Sequence, residues 1–362
     1  MIISEPSIAN VPAPGQTLLG ILQGVLDATR ESVLIVDSSR RIIASNQAAC
    51  DAFARQNGGL REKRLSEVIR DLSLHEAFTR AIENGKASDI KMDFIGTEKR
   101  SYDINVSPIY LDESRHAIGV FYDVTQIERL EKVRQEFLSN VSHELRTPLT
   151  SIMAFVETLE DGAIDDKENN RRFLGVIRRN AERMHGLIAD ILELSMIESG
   201  NVFIEVKQVR LFNLVEDVFA ALSSKAAARQ IKLVNKIEEG IKVAADPVRL
   251  EQMLTNLIDN GIKFNRPGGS VTVEIERNGS TNSIAITDTG EGILTEHLQR
   301  IFERFYRADR GRTREVGGTG LGLAIVKHLA RLHGGEVSVT SALSRGTTFV
   351  IELPTGLHPS RF

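Results

Sequence analysis

The chain has 362 residues, 41% hydrophobic and 26% charged, with 45 Lys and Arg against 49 Asp and Glu and a net charge of −4. That length asks for two or three domains. The mild acidity gives no electrostatic footing for nucleic acid, and a single cysteine, Cys50, excludes an internal disulfide framework or a cysteine-built zinc cluster.

No apolar run approaches the ~18 to 20 residues that span a bilayer. The opening MIISEPSIANVPAPG has neither the basic nor the apolar region of a secretory signal, so a cytoplasmic protein without a membrane span is expected.

Residues 1–14 carry Pro6, Pro12 and Pro14 without periodicity, as a disordered tail does. From Gly15, Leu18, Leu19, Ile21, Leu22, Val25 and Leu26 fall at helical spacing. VLIVD (Val33 to Asp37) is a buried-strand run, Ser38 to Arg40 a polar turn, and Ile42 to Ala44 a second strand. Asn46 is placed to cap a helix through Ala48, Ala49 and Phe53. After Gly58-Gly59 the pattern predicts one helix from Leu65 to Ile82, stopped at Asn84-Gly85. Three strands follow, Ile90 to Ile95, Tyr102 to Tyr110 and Ala117 to Val124. Two strands, short helices and three strands resemble a PAS sensor domain, here 15–125. VLIVDSSRRIIASNQAA looks like that family's first hairpin and YDVT (Tyr122 to Thr125) its exit. PAS domains hold haem, flavin, small acids or nothing, so the ligand stays unknown. His75 reads either as a haem ligand or as an exposed or capping residue.

From Thr125 the chain turns continuously helical. Ile127, Leu130, Arg134, Phe137 and Val141 follow 3-4 spacing, a short coiled-coil seam with one charged position. The same helix carries FLSNVSHELRTPLTSI (Phe137 to Ile152), with His143 beside Glu144 on a partly polar face. A nucleophilic imidazole needs such a neighbour to hold the proton on its other nitrogen. Pro148 removes a helical hydrogen bond and favours a bend. Asp161-Gly162 should end the helix near Glu160. A second helix then presents Phe173, Val176, Ile177, Met184, Leu187, Ile188, Ile191 and Leu192, and ends at Gly200. Phe137 to Ile152 resembles the H box of sensor histidine kinases. The resemblance implies a linker and phosphotransfer domain over 126–200, whose antiparallel hairpin pairs with a second copy as a homodimeric four-helix bundle.

Residues 201–356 alternate strands and helices, followed by a tail over 357–362. Strand runs are Val202 to Val209, Ile231 to Ile237, Val271 to Glu276, Ser283 to Asp288, Glu336 to Thr340 and Thr347 to Leu353. Asp246-Pro247 is a helix start, and on that helix Asn256, Asn260 and Lys263 share one face. Carboxamide oxygens suit Mg²⁺ and a lysine suits phosphate. The spacing resembles the N box of histidine kinases, which implies Asn260 as magnesium ligand with Asn256 and Lys263 at the phosphates. Gly261 and Asn265 replace that family's usual alanine and serine or threonine. DTGEGI (Asp288 to Ile293) resembles the G1 box, implying that Asp288 selects adenine and that Gly290 and Gly292 let backbone approach the ring. IFERFYR (Ile301 to Arg307) resembles the F box, expected as a helix beside a charged lid, Ala308 to Val316, with Arg312 and Arg314 near the phosphates. GGTGLGLAIV resembles the G2 box: Gly317, Gly318, Thr319, Gly320, Leu321 and Gly322 would offer amide donors to anions at a helix start.

The H, N, G1, F and G2 boxes in order, with the PAS resemblance, imply a multidomain α+β protein: a PAS α/β sensor, the helical hairpin, and a C-terminal α/β sandwich ATP-binding domain of the Bergerat type. They imply ATP and Mg²⁺ as cofactors, autophosphorylation of His143, and transfer to an aspartate of a separate response regulator. Thr147, one turn after His143, stands where relatives orient water to dephosphorylate the regulator. Two rivals remain: a scaffold that senses and dimerises without catalysis, and an ATPase of the related chaperone or topoisomerase type.

Overall fold

The computed structural model describes residues 23–54, 59–95, 99–111, 114–308 and 318–356. Expectations for the two tails, Leu18 to Leu22, Gly58, Gly317 and the segment with Arg312 and Arg314 lie outside the described residues. The chain forms two compact units, one up to Gln135 and one from Glu136. No helix among the described residues is long and apolar enough to cross a membrane.

In the first unit, a helical stretch over 23–28 (α1) precedes β1 (Ser32–Val36) and β2 (Ile42–Ser45). Arg40 takes a positive φ of 62° in the turn between the two strands. Asn46 starts α2 (Gln47–Phe53): its Oδ1 accepts the Ala49 and Val33 amides, and its Nδ2 donates to the Leu26 and Glu31 carbonyls. This buried carboxamide therefore fixes a helix start, a strand edge and α1 together.

The single helix expected from Leu65 to Ile82 is two, α3 (Leu65–Val68) and α4 (Leu72–Asn84). Ile69 and Asp71 are extended, and the Asp71 carboxylate caps the Leu74 amide, so a local N-cap overrides the continuous apolar pattern. His75 Nε2 bonds the Ile69 carbonyl at 2.9 Å, which is the capping arrangement.

β3 (Ser88–Ile95), β4 (Lys99–Leu111) and β5 (Ser114–Asp123) complete an antiparallel sheet of order β2-β1-β5-β4-β3. Its core stacks Phe53, Phe94, Tyr102 and Phe121. The Phe78 ring lies where a side chain of residue 119 would be: a Cβ on Gly119 would sit 2.6 Å from Phe78 Cζ.

α5 (Thr125–Thr158) runs unbroken through Pro148, the residue expected to bend it. A π-type turn (Leu159–Ala163) follows, with Gly162 at φ 110°, and α6 (Asn170–Glu198) returns.

In the second unit, β6 (Lys207–Arg210) pairs with β8 (Lys242–Ala245), separated by α7 (Leu211–Ala228) and β7 (Lys232–Asn235). The strand expected from Val202 shrinks to β6 because its partner β8 is only four residues long; Phe203 is 91% exposed. Next come α8 (Pro247–Lys263), β9 (Ser270–Asn278), β10 (Thr281–Asp288), α9 (Thr295–Leu298), α10 (Gly322–Leu332), β11 (Glu336–Ala342) and β12 (Gly346–Pro354). The sheet order is β11-β12-β10-β9-β7, antiparallel except that β7 runs parallel to β9. Apolar faces of α7, α8 and α10 meet in one core with Val273, Ile284, Ile286 and Ile351. Ile301 to Arg307 is a chain of turns, not the helix expected. Phe305 sits at φ 60°, which a continuing helix does not allow, and its amide bonds the Gly320 carbonyl instead.

Candidate active site

The site is assembled around α8. Asp246 caps it, with Oδ1 accepting the Val248 and Arg249 amides, and Pro247 sits where no amide is needed. Leu250, Leu254, Leu257, Ile258 and Ile262 are buried, which turns Asn256, Asn260 and Lys263 to the other side.

Two close approaches bring the other motifs to this helix. At Gly261 an added Cβ would lie 3.1 Å from Val271 and 3.5 Å from the Asp288 Cβ, so the helix rests directly on the strand ends. At the other contact, a Cβ on Gly322 would lie 3.3 Å from Asn256 Oδ1, which sets the start of α10 against the middle of α8. The carboxamide of Asn260 makes no hydrogen bond among the described residues. Lys263 pairs with Asp259, as does Lys225. Burial alone would raise the Asp259 carboxyl, but the two lysines hold it below the ordinary value.

Asp288 ends β10 and is 8% exposed. Its Oδ1 accepts the Gly290 amide at 2.7 Å. Burial pushes its carboxyl up, against the hydrogen bonds from the Gly290 and Thr347 amides. Gly292 has φ 74°, and a Cβ there would fall 2.1 Å from the Ala342 carbonyl oxygen, so only glycine fits. Asn265, the replaced position, ties the site's floor together. Its Nδ2 donates to the Gly261 and Ser270 carbonyls, and its Oδ1 accepts from Thr289 Oγ1. Gly318, Thr319, Gly320 and Leu321 lead into α10 at Gly322, and the Thr319 hydroxyl also accepts the Leu321 amide.

On the hairpin, His143 is exposed on α5, and Thr147 Oγ1 donates to the His143 carbonyl at 3.2 Å. The structure does not bring Glu144 to the imidazole. Its carboxylate faces Arg183 of α6 at 2.9 Å and Arg307 at 3.7 Å. α6 supplies further contacts to the nucleotide-side domain. Asp190 Oδ2 accepts from Thr319 Oγ1 at 2.6 Å, Glu193 meets Arg249 at 2.7 Å and also Gln252, and Glu198 meets Arg304. Phe137 and Phe305 lie 5.6 Å apart between ring centres. None of Asp190, Arg183 or Arg307 was a candidate from sequence, because a lone charge on a helix face carries no local signal. Asn265 was visible only as a departure from a motif.

The donor set fits a magnesium nucleotide. The Asn260 carboxamide has no hydrogen-bond partner among the described residues, a buried carboxylate sits at the floor, and Gly290 and Gly292 stand where a Cβ would clash.

Comparison with known proteins gives three matches in chain order. They are a PAS domain over 30–126, a His Kinase A (phospho-acceptor) domain over 133–200, and a histidine kinase-, DNA gyrase B- and HSP90-like ATPase over 245–357. The sensor histidine kinase WalK of Bacillus subtilis (strain 168) is 37% identical over 243 residues, 66% of this chain and 39% of WalK. The sensor protein SrrB of Staphylococcus aureus (strain N315) is 29% identical over 341 residues, 93% of this chain and 56% of SrrB. The chain thus spans about two-fifths of WalK and just over half of SrrB. Histidine kinase ThkA, solved in complex with response regulator protein TrrA, shares the fold with a TM-score of 0.52 at 22% identity, over 92% of this chain and 98% of ThkA. With a phospho-acceptor domain matched between a PAS domain and this kind of ATPase, and sensor kinases among its relatives, the chain belongs to the sensor histidine kinase family.

Proposed function

We propose that the protein is an ATP-dependent protein-histidine kinase that phosphorylates its own His143 and passes the phosphoryl group to an aspartate of a separate response regulator. In this reading the chain divides into a sensor domain over 15–125, a linker and phosphotransfer hairpin over 126–200, and a catalytic domain over 201–356. The observation that carries it is the convergence on α8: Gly261 seats the helix against Asp288, and Gly322 seats the G2 loop against Asn256.

Asp288 would accept the adenine amino group, with Gly290 and Gly292 leaving room for the ring. Asn260 would hold Mg²⁺, which when bound offsets phosphate charge. Asn256, Lys263 and the amides and hydroxyl of Gly318 to Gly322 would orient the phosphates. His143 Nε2 would attack the γ-phosphorus in line, forming the N–P bond as the bond to the ADP oxygen breaks. Its Nδ1 proton would be held by Glu144, which must first leave Arg183 and Arg307. Thr147, on the next turn of the same face, would orient a water for hydrolysis of the phosphorylated regulator.

The working form would be a homodimer through 126–200. Leu138, Leu149, Met153 and Val156 on α5 and Leu174, Ile188, Leu192 and Met196 on α6 are exposed in the single chain, and a second hairpin would cover them. With ATP and a receiver aspartate as its substrates, the protein would work in the cytoplasm.

Incubation with γ-labelled ATP and Mg²⁺ tests the proposal. Acid-labile, base-stable label is expected on the wild type and none on His143→Ala. Equal label on both would sink His143 as the acceptor.

A further inference from the structure

None of the roles above uses Asp190. It lies half-buried on α6, and its Oδ2 accepts a hydrogen bond of 2.6 Å from the Thr319 hydroxyl. Burial raises its carboxyl above the ordinary value; the Thr319 bond and the charge of Lys263 act the other way, while Glu193 adds to the rise. The carboxylate is thus short of water and compensated by one hydroxyl and one ammonium.

Those two groups are the ones assigned above to nucleotide phosphates. The Thr319 hydroxyl has a single proton to donate, so the carboxylate and a phosphate oxygen cannot both accept it. The rest of the contact holds the acid in place. Arg249 and Gln252 of α8 grip Glu193, three residues along, and Arg304 grips Glu198. Leu187, Leu194 and Ile197 of α6 are buried in the core of the nucleotide-side domain.

We infer that Asp190 is a built-in competitor for the phosphate subsite: while α6 is docked as seen here, its carboxylate takes the Thr319 hydroxyl, and a nucleotide must displace it. The inference rests on the reading of Gly318 to Gly322 as a phosphate loop. It makes the hairpin an inhibitor of nucleotide binding as well as the carrier of the phosphorylated histidine.

The test is calorimetric titration of the full chain with a non-hydrolysable ATP analogue and Mg²⁺. Wild type, Asp190→Asn, Asp190→Ala and Asp288→Ala are compared after thermal unfolding has shown that each is folded. Loss of a hydrogen bond to a charged group predicts roughly tenfold tighter binding by Asp190→Ala, with Asp190→Asn between it and wild type. Autophosphorylation should rise at low ATP and converge with wild type at saturating ATP, the signature of competition. Unchanged or weaker binding by both Asp190 variants, with binding lost in Asp288→Ala, would overturn the competitor and leave the nucleotide site standing. No binding by wild type, or wild-type binding by Asp288→Ala, would overturn both.

Discussion

The helices α8 and α6 belong to the same compact unit and are built to opposite plans. Within 17 residues α8 buries Leu250, Met253, Leu254, Leu257, Ile258, Gly261 and Ile262. Within 29 residues α6 buries only Leu187, Leu194 and Ile197. All three lie in the core shared with the nucleotide-side domain, while Ile188, Leu192 and Met196 stay exposed. The difference is one of completeness. α8 buries most of its apolar side chains within one chain, whereas α6 leaves Ile188, Leu192 and Met196 as a stripe open to a second surface.

Matched substitutions on the two helices would break or sharpen this contrast. Leu257 is fully buried, so Leu257→Ala should cost about 2–5 kcal/mol in thermal or denaturant unfolding of the full chain. Leu192 is 57% exposed, and Leu192→Ala should shift the monomer's unfolding by no more than about 0.5 kcal/mol. Its effect should appear instead in sedimentation, as a dimer that dissociates at higher protein concentration. Equal destabilisation by both in the dilute monomer would erase the distinction.

A smaller effect concerns pH. His333 is buried, with Nδ1 donating to the Leu329 carbonyl at 2.7 Å and Nε2 accepting the Asp246 amide at 3.1 Å. An amide can only donate, so this Nε2 carries no proton and the ring is neutral. Burial lowers its pKa below 6.5, against the Leu329 bond and the Asp246 charge. The unfolded chain therefore takes up the proton first. The stabilisation is complete above about pH 6.5 and is lost as pH falls through the folded-state value, with a slope of at most about 1.4 kcal/mol per pH unit. Melting temperature should drop between pH 7 and pH 5, and His333→Gln should flatten that drop. An unchanged slope in the variant would assign the acid sensitivity elsewhere.

The smallest effect is at Gly261. Alanine there should gain about 1 kcal/mol of helix propensity, set against a Cβ 3.1 Å from Val271. The net change in unfolding free energy should lie within about 1 kcal/mol of zero. A large loss would mean that α8 cannot yield at all against the strand.

Local rules carried the reading where one residue decides an element. The Asn46 and Asp246 caps stand as the spacing foretold, and so does the Gly85 stop, in the left-handed region at φ 68°. The motif residues around α8 were legible because glycine and asparagine at fixed offsets record close approach and free carboxamides. What failed is what depends on distant partners. Ile301 to Arg307 reads as a helix until Gly320 takes the Phe305 amide, and Val202 to Val206 reads as a strand until β8 ends too soon. The Glu144 pairing was not legible for the same reason, since its partners lie 39 residues away at Arg183 and farther still at Arg307, while its proposed role at His143 stands.

The Phe78 ring seated on Gly119 has a consequence for sensing. A small molecule entering the first unit's interior there would have to expel an aromatic side chain before gaining a contact. Its apparent affinity would be its intrinsic affinity reduced by the small fraction of time that the ring stands aside. Shrinking that ring would therefore tighten the binding of any such molecule without adding a group that recognises it.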